Sequence, residues 1–100
     1  MTASPEMTIL DLTVKNHPGV MSHICNLFAR RAYNLDAIAC LPVNGGENSR
    51  MLLRLREDER LTQIVRQVEK LHDVLHLETT RDNRIFETMN TEFCDTATVE

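Results

Sequence analysis

Asn16, His17, Gly19, Val20 and Met21 crowd the point where an alternating pattern gives way to a helical one. They bring a polar amide, an imidazole and a Pro-Gly turn to a single helix start. The first N–H groups of a helix have no intrahelical acceptor, and they lie at the positive end of its dipole, so such a start holds a small anion. Amides near Gly19, Val20 and Met21 supply the donors, and Gly19 lets a carboxylate approach the backbone closely. The Asn16 amide oxygen, or a carbonyl at the strand end, can accept from an ammonium group. Val20 and Leu35 offer apolar surface for a short aliphatic side chain. An apolar α-amino acid combines these three features. The same residues also make a plain Pro-Gly helix start with Asn16 as a local cap, and spacing alone favours that simpler account.

Catalysis finds less support. His17, a loop histidine before proline, reads as solvated rather than as a general base, and Asp11 in mid-strand reads as a surface charge. Gly45-Gly46 lies in a hairpin and does not open a helix, so it is no phosphate loop. Cys25, Cys40 and Cys94 are odd in number and contain no CxxC pair, and His17, His23, His72 and His76 do not join them at metal-ligand spacing.

The bulk properties narrow the partners. One hundred residues suffice for one core, and 42% hydrophobic with 26% charged residues is ordinary for a globular domain. A net charge of −4 and only four aromatics argue against nucleic acid, which asks for a basic field and stacking surfaces. No stretch approaches the roughly 20 apolar residues of a membrane span, and the first residues carry no basic-then-apolar signal pattern. Reduced thiols in a cytoplasmic protein are the expectation.

The elements that must position these residues follow from periodicity. Leu10, Leu12 and Val14 alternate with Asp11 and Thr13 in a half-buried strand over Met7 to Lys15. Val20, Ile24, Leu27 and Phe28 then fall at helical spacing. Arg30-Arg31 close that helix, and Asn34 sits where a left-handed residue commonly ends one. Leu35, Ala37, Ala39, Leu41 and Val43 alternate in a second strand, and residues 44–48 form a hairpin loop. In the third strand Met51, Leu53 and Leu55 point one way, with Arg50, Arg54 and Arg56 on a wet, cationic outer face. Leu61, Ile64, Val65, Val68 and Leu71 stripe a helix from about Asp58 to His72, and Val74 to Thr80 is the last strand. The order β-α-β-β-α-β predicts an α+β, ferredoxin-like sandwich, with two helices on one face of a four-stranded antiparallel sheet and the other face bare. The expected boundaries are a flexible N-terminus over residues 1–6, the domain over 7–82 and a C-terminal tail over 83–100. In the tail, Phe86, Met89, Asn90 and Phe93 line one side of a short helix followed by disorder. That tail either folds over the bare sheet face or docks on a larger protein.

Two motifs carry a resemblance. Asn16-His17-Pro18-Gly19-Val20-Met21, followed by Leu27-Phe28-Ala29-Arg30-Arg31-Ala32-Tyr33-Asn34-Leu35, is similar to the ACT domain of acetohydroxyacid (acetolactate) synthase small regulatory subunits, nearest the short, single-domain isozyme I type. The resemblance runs from about Met7 to Thr80. Many members have glycine where this chain has Ala32, a difference at the helix end that removes no ligand contact. The resemblance implies a non-catalytic subunit without a cofactor of its own. It would activate a catalytic large subunit carrying thiamine diphosphate, Mg²⁺ and FAD, and confer feedback inhibition by valine. It further implies side-by-side homodimers, with Asn16, Gly19, Val20 and Met21 of one copy and Asn34 and Leu35 of the other around the effector. One methylene is worth only about 0.8 kcal/mol, so isoleucine or leucine remain open as effectors beside valine. An amino-acid-sensing ACT module serving a different enzyme is the alternative. A small enzyme such as an acyl phosphatase would need an arginine in the first loop, which this chain lacks.

Overall fold

A computed structural model of the chain describes residues 6–94. Strand β1 spans Met7–Lys15, β2 Leu35–Val43, β3 Asn48–Arg56 and β4 Val74–Thr80, all antiparallel in the order β2-β3-β1-β4. Helix α1 spans Val20–Arg30, α2 Leu61–Glu69 and α3 Arg84–Met89. The element order and the bounds of β1, β2 and β4 agree with the periodicity, whereas β3 already starts at Asn48, inside the expected hairpin loop, and α2 is shorter than the Asp58–His72 stretch expected. Leu10, Leu12 and Val14 of β1 and Met51, Leu53 and Leu55 of β3 face Ile24, Leu27 and Phe28 of α1 and Ile64 and Val68 of α2 in one buried core. Burying a side chain of this kind contributes about 1.5–3 kcal/mol, and this layer accounts for most of what holds the sheet to its helices.

Each end of α1 has its own device. Gly19 precedes it with φ +87°, a left-handed conformation that a Cβ would strain, and no side chain caps the helix. At the far end the Ala32 N–H donates to the Ala29 carbonyl (3.0 Å) and the Tyr33 N–H to the Phe28 carbonyl (3.0 Å), the bond pair of a Schellman stop. The left-handed residue of that stop is Ala32, at φ 54°, not Asn34 as its side chain suggested. Tyr33 and Phe28 complete it with edge-to-face rings 6.3 Å apart.

Strand β2 departs from simple alternation. Leu35 opposes Leu55 but Ala37 opposes Arg54, so Asp36 is an extra residue in a bulge. The bulge turns Leu35, Ile38 and Cys40 toward the helices and Ala37, Ala39, Leu41 and Val43 away from them. Leu35 therefore does not share a face with the residues its spacing grouped it with. Residues Asn44–Gly46 form a single 3₁₀ turn with φ 54°, 67° and 95°, and this turn closes the β2–β3 hairpin.

The second sheet face is neither bare nor freely cationic. Arg50 makes a two-pronged pair with Asp11 (3.0 and 2.7 Å), and Arg54 pairs with Asp36 (2.9 and 2.7 Å). Cross-strand placement puts a carboxylate within reach of each arginine, which single-strand periodicity cannot reveal. Helix α3 folds over part of this face: among the described residues, Ile9 and Phe86 are the two buried apolar residues outside the main core, and Arg54, opposite Ile9, stacks 5.2 Å from the Phe86 ring. Phe86 is thus a packing residue. Phe93, expected on the same side, is 82% exposed in the single π turn Asn90–Cys94 that continues α3. The expected disorder at the chain end and most of the expected flexible N-terminus lie outside the described residues.

Candidate functional site

The loop from Asn16 to Gly19 joins β1 to α1 beside the β2–β3 hairpin turn. The Asn16 N–H donates to the Glu47 carbonyl (3.1 Å), and Asn16 Nδ2 donates to the Gly46 carbonyl (2.8 Å). Asn16 is therefore not a cap of α1. Its side chain ties the loop to the hairpin, and that bond fixes the amide orientation and leaves Oδ1 free to accept.

His17 is held on both ring nitrogens. Nε2 lies 2.8 Å from Asp73 Oδ1, and Nδ1 lies 2.9 Å from the Pro18 carbonyl. Two acceptors suit the doubly protonated ring, so Asp73 first and the Pro18 carbonyl second raise the His17 pKa. The His17 hydrogen bond in turn lowers that of Asp73. The Lys15 N–H donates to the Asp73 carbonyl (2.9 Å), and Lys15 Nζ sits 3.0 Å from His72 Nε2. His17 is exposed, as expected of a loop histidine, and also braces the first loop against the α2–β4 turn. Asp73 lies 56 positions away in the chain, and no spacing signal joined the two.

The amides at the helix start divide. The Val20 N–H donates to the His17 carbonyl (3.3 Å) and the His23 N–H to the Gly19 carbonyl (2.9 Å). Among the described residues, the N–H groups of Gly19, Met21 and Ser22 have no backbone acceptor. The Val20 side chain is buried in the core and offers a ligand no surface, a correction to its expected role, whereas the neighbouring Met21 is exposed. Buried position i at the first turn follows from the same i, i+4, i+7 stripe that defines the helix.

Asn34 and Leu35 lie elsewhere. Leu35 opposes Leu55 near the Met7–Arg56 end of the sheet, whereas Asn16 follows Lys15, which opposes Asn48 at the other end. Helix α1, with 11 residues and about 1.5 Å of rise for each, separates the two groups by roughly 16 Å. Asn34 instead lines a polar cleft of about 330 Å³ with Tyr33, Arg56, Asp58 and Arg60. One chain brings Asn16, Gly19 and Met21 together and leaves Asn34 and Leu35 apart from them. Among the described residues no cluster of His, Cys, Asp and Glu is arranged to hold a metal, and no helix is long and apolar enough to cross a membrane.

Comparison with known proteins places this geometry in a family. The model of the AHAS small subunit-like ACT domain matches residues 10–76. The chain is 50% identical over 70 residues to the acetolactate synthase isozyme 1 small subunit of Escherichia coli K12, covering 70% of this chain and 73% of that one. The chain belongs to the acetolactate synthase small-subunit family. It is a small subunit of regulatory type, not the catalytic chain. The isozyme 3 small subunit of the same organism is 36% identical over 70 residues, which cover 69% of this chain and 43% of that one. The crystal structure of an acetolactate synthase small subunit from Thermotoga maritima superposes with a TM-score of 0.66 at 31% identity, over 74% of this chain and 47% of that one. The regulatory subunit of aspartate kinase from Thermus thermophilus, at 16% identity and a TM-score of 0.65, shares the fold.

Proposed function

We propose that this chain pairs with a second copy through strand β2, senses a branched-chain amino acid, with valine first, at the two interfaces so formed, and regulates a catalytic acetolactate synthase subunit. The observation that carries this reading is that Asn34 and Leu35 lie at one end of the edge strand β2 and the turn that holds Asn16 lies at the other. Antiparallel pairing of two β2 strands about their middle sets Leu35 of one copy against Val43 of the other. Val43 leads into the turn whose Gly46 carbonyl holds Asn16. The Asn34–Leu35 segment of one copy then reaches the Asn16–Met21 loop of its partner, and a two-fold axis makes two such sites. Edge strands offer unpaired backbone groups, and Ile38 and Leu41 present exposed apolar side chains from the two faces of this one.

In this arrangement the free Gly19, Met21 and Ser22 amides receive the effector carboxylate and Asn16 Oδ1 receives its ammonium group. Met21 and the partner copy's Leu35 flank the side chain. Charge-assisted bonds contribute about 1.5–3 kcal/mol each, and a micromolar effector corresponds to a net of about −8 kcal/mol. An effector that bridges two chains favours the paired state over the separated one and shifts whatever the pair contacts. Thiamine diphosphate, Mg²⁺ and FAD belong to the catalytic partner in this reading, and this chain supplies no group to the chemistry.

Isothermal titration of the full chain with valine tests the reading, with Asn16→Ala as control. Micromolar binding that Asn16→Ala weakens at least tenfold is expected. A folded dimer that takes up no valine, isoleucine or leucine overturns it.

A further inference from the structure

Arg54 sits near the end of β3 on the α3-covered face and joins three elements at once. Its Nε and Nη2 donate to Asp36 Oδ2 (2.9 and 2.7 Å), and its Nη1 donates to Asn83 Oδ1 (2.8 Å). The guanidinium carbon lies 5.2 Å from the centre of the Phe86 ring. Asp36 is the bulge residue of β2, directly after Asn34 and Leu35. Asn83 precedes α3, and Phe86 is the buried residue of α3.

We propose that Arg54 is a positioning residue that transmits the state of the β2 start to the C-terminal helix; the inference rests on the effector reading above for what changes that state. A six-residue helix is too short to persist alone, so α3 is held by what Phe86 and Asn83 touch. The guanidinium is a rigid planar fork, and its donors cannot follow Asp36 and Asn83 in different directions. A ligand that settles on Asn34 and Leu35 fixes or displaces the neighbouring bulge. Asp36 then carries Arg54 with it, and the stacking and hydrogen bond that hold α3 change together. A bulge suits this role, because its extra residue is left out of the ladder. The Arg50–Asp11 pair links two strands already bonded to each other, and Arg84–Asp82 is local to the start of α3. Neither connects the half-site to the tail.

Hydrogen exchange of the amides of residues 84–89 in the full chain, with and without saturating valine, reads the link. In the unaltered chain valine is expected to change exchange there severalfold. Arg54→Met is expected to raise basal exchange about tenfold and abolish the valine response, while valine affinity stays within about threefold. Arg54→Lys, which keeps the charge but not the fork, restores little of the response. Asp36→Asn, measured without ligand, is expected to speed exchange in 84–89 and to add nothing once Arg54→Met is present. An unchanged α3 in valine-saturated protein overturns the inference, as does an intact response in Arg54→Met. If Asp36→Asn leaves α3 unchanged, the bridge is absent whatever the effector. Failure of every branched-chain amino acid to bind overturns the effector reading and the transmission built on it, a result separable from the other two.

Discussion

His17 Nε2 and Asp73 Oδ1 lie 2.8 Å apart and join the helix-start loop to the turn before β4. The pair fixes one wall of the loop that carries Asn16 and Gly19, and its charge state sets how firmly. The His17 pKa is raised in the fold, so its contribution to stability is full below the unfolded value of about 6.5 and is lost as pH rises through the folded value. The Asp73 pKa is lowered, so its share is present above the unfolded value of about 3.9 and is lost as pH falls through the folded one. The brace is therefore fully formed from about pH 3.9 to about 6.5, and it weakens below and above those limits. Titration of the His17 ring by NMR should give a pKa above that of a free histidine, and Asp73→Asn should return it toward about 6.5. An unshifted His17 in the unaltered chain would refute the brace.

Gly19 and Ala32 both adopt left-handed backbone at the two ends of α1, and only one of them is glycine. Gly19→Ala meets no neighbour within 4 Å, so its cost is conformational, about 1 kcal/mol. Ala32→Gly should do the reverse and gain up to about 1 kcal/mol, raising Tm by roughly 4–8 °C. Thermal unfolding of the two variants checks both signs. A destabilised Ala32→Gly would contradict the Schellman assignment.

Phe86 and Phe93 should respond differently despite their similar spacing in the tail. Phe86→Ala empties a buried site on the sheet and should cost about 3 kcal/mol, with loss of the Arg54 stack. Phe93→Ser should change stability by less than about 0.5 kcal/mol, since the ring is exposed. Denaturant midpoints of the two variants decide the matter, and equal effects would reject the α3 packing.

Leu41 offers a test of the edge. It is exposed in β2 on the strand proposed to pair with its counterpart, and an edge lysine opposes strand pairing. Leu41→Lys should leave the monomer fold intact and shift the chain toward monomer in sedimentation velocity. A lysine variant that remains dimeric at the unaltered chain's concentration dependence would exclude β2 as the interface.

Local patterns made the fold readable and distant pairings did not. The alternation of Leu10, Leu12 and Val14 and the helical spacing of Val20, Ile24, Leu27 and Phe28 each report a face that one element buries, so element order and strand bounds follow from them. The bulge at Asp36 is invisible there, because Leu35 and Ala37 keep a perfect period of two while the backbone inserts a residue between them. The turn at Ala32 is also hard to read, since alanine lacks the conformational freedom that marks a glycine as a helix stop. Asn16 and Gly19 stand out in the sequence as a candidate helix start for holding an anion. The partners that hold them, the Gly46 carbonyl and Asp73 through His17, come from elements far along the chain and carry no spacing signal.

Each effector site should draw Asn16 from one chain and Asn34 from the other. Asn16→Ala and Asn34→Ala homodimers should each lose valine binding in titration calorimetry. Mixing the two, with subunit exchange, makes heterodimers in which one site carries both substitutions and the other carries neither. An equal mixture should therefore regain high-affinity binding at about a quarter of the unaltered number of sites. No recovery in a mixture shown to exchange subunits would contradict the shared site.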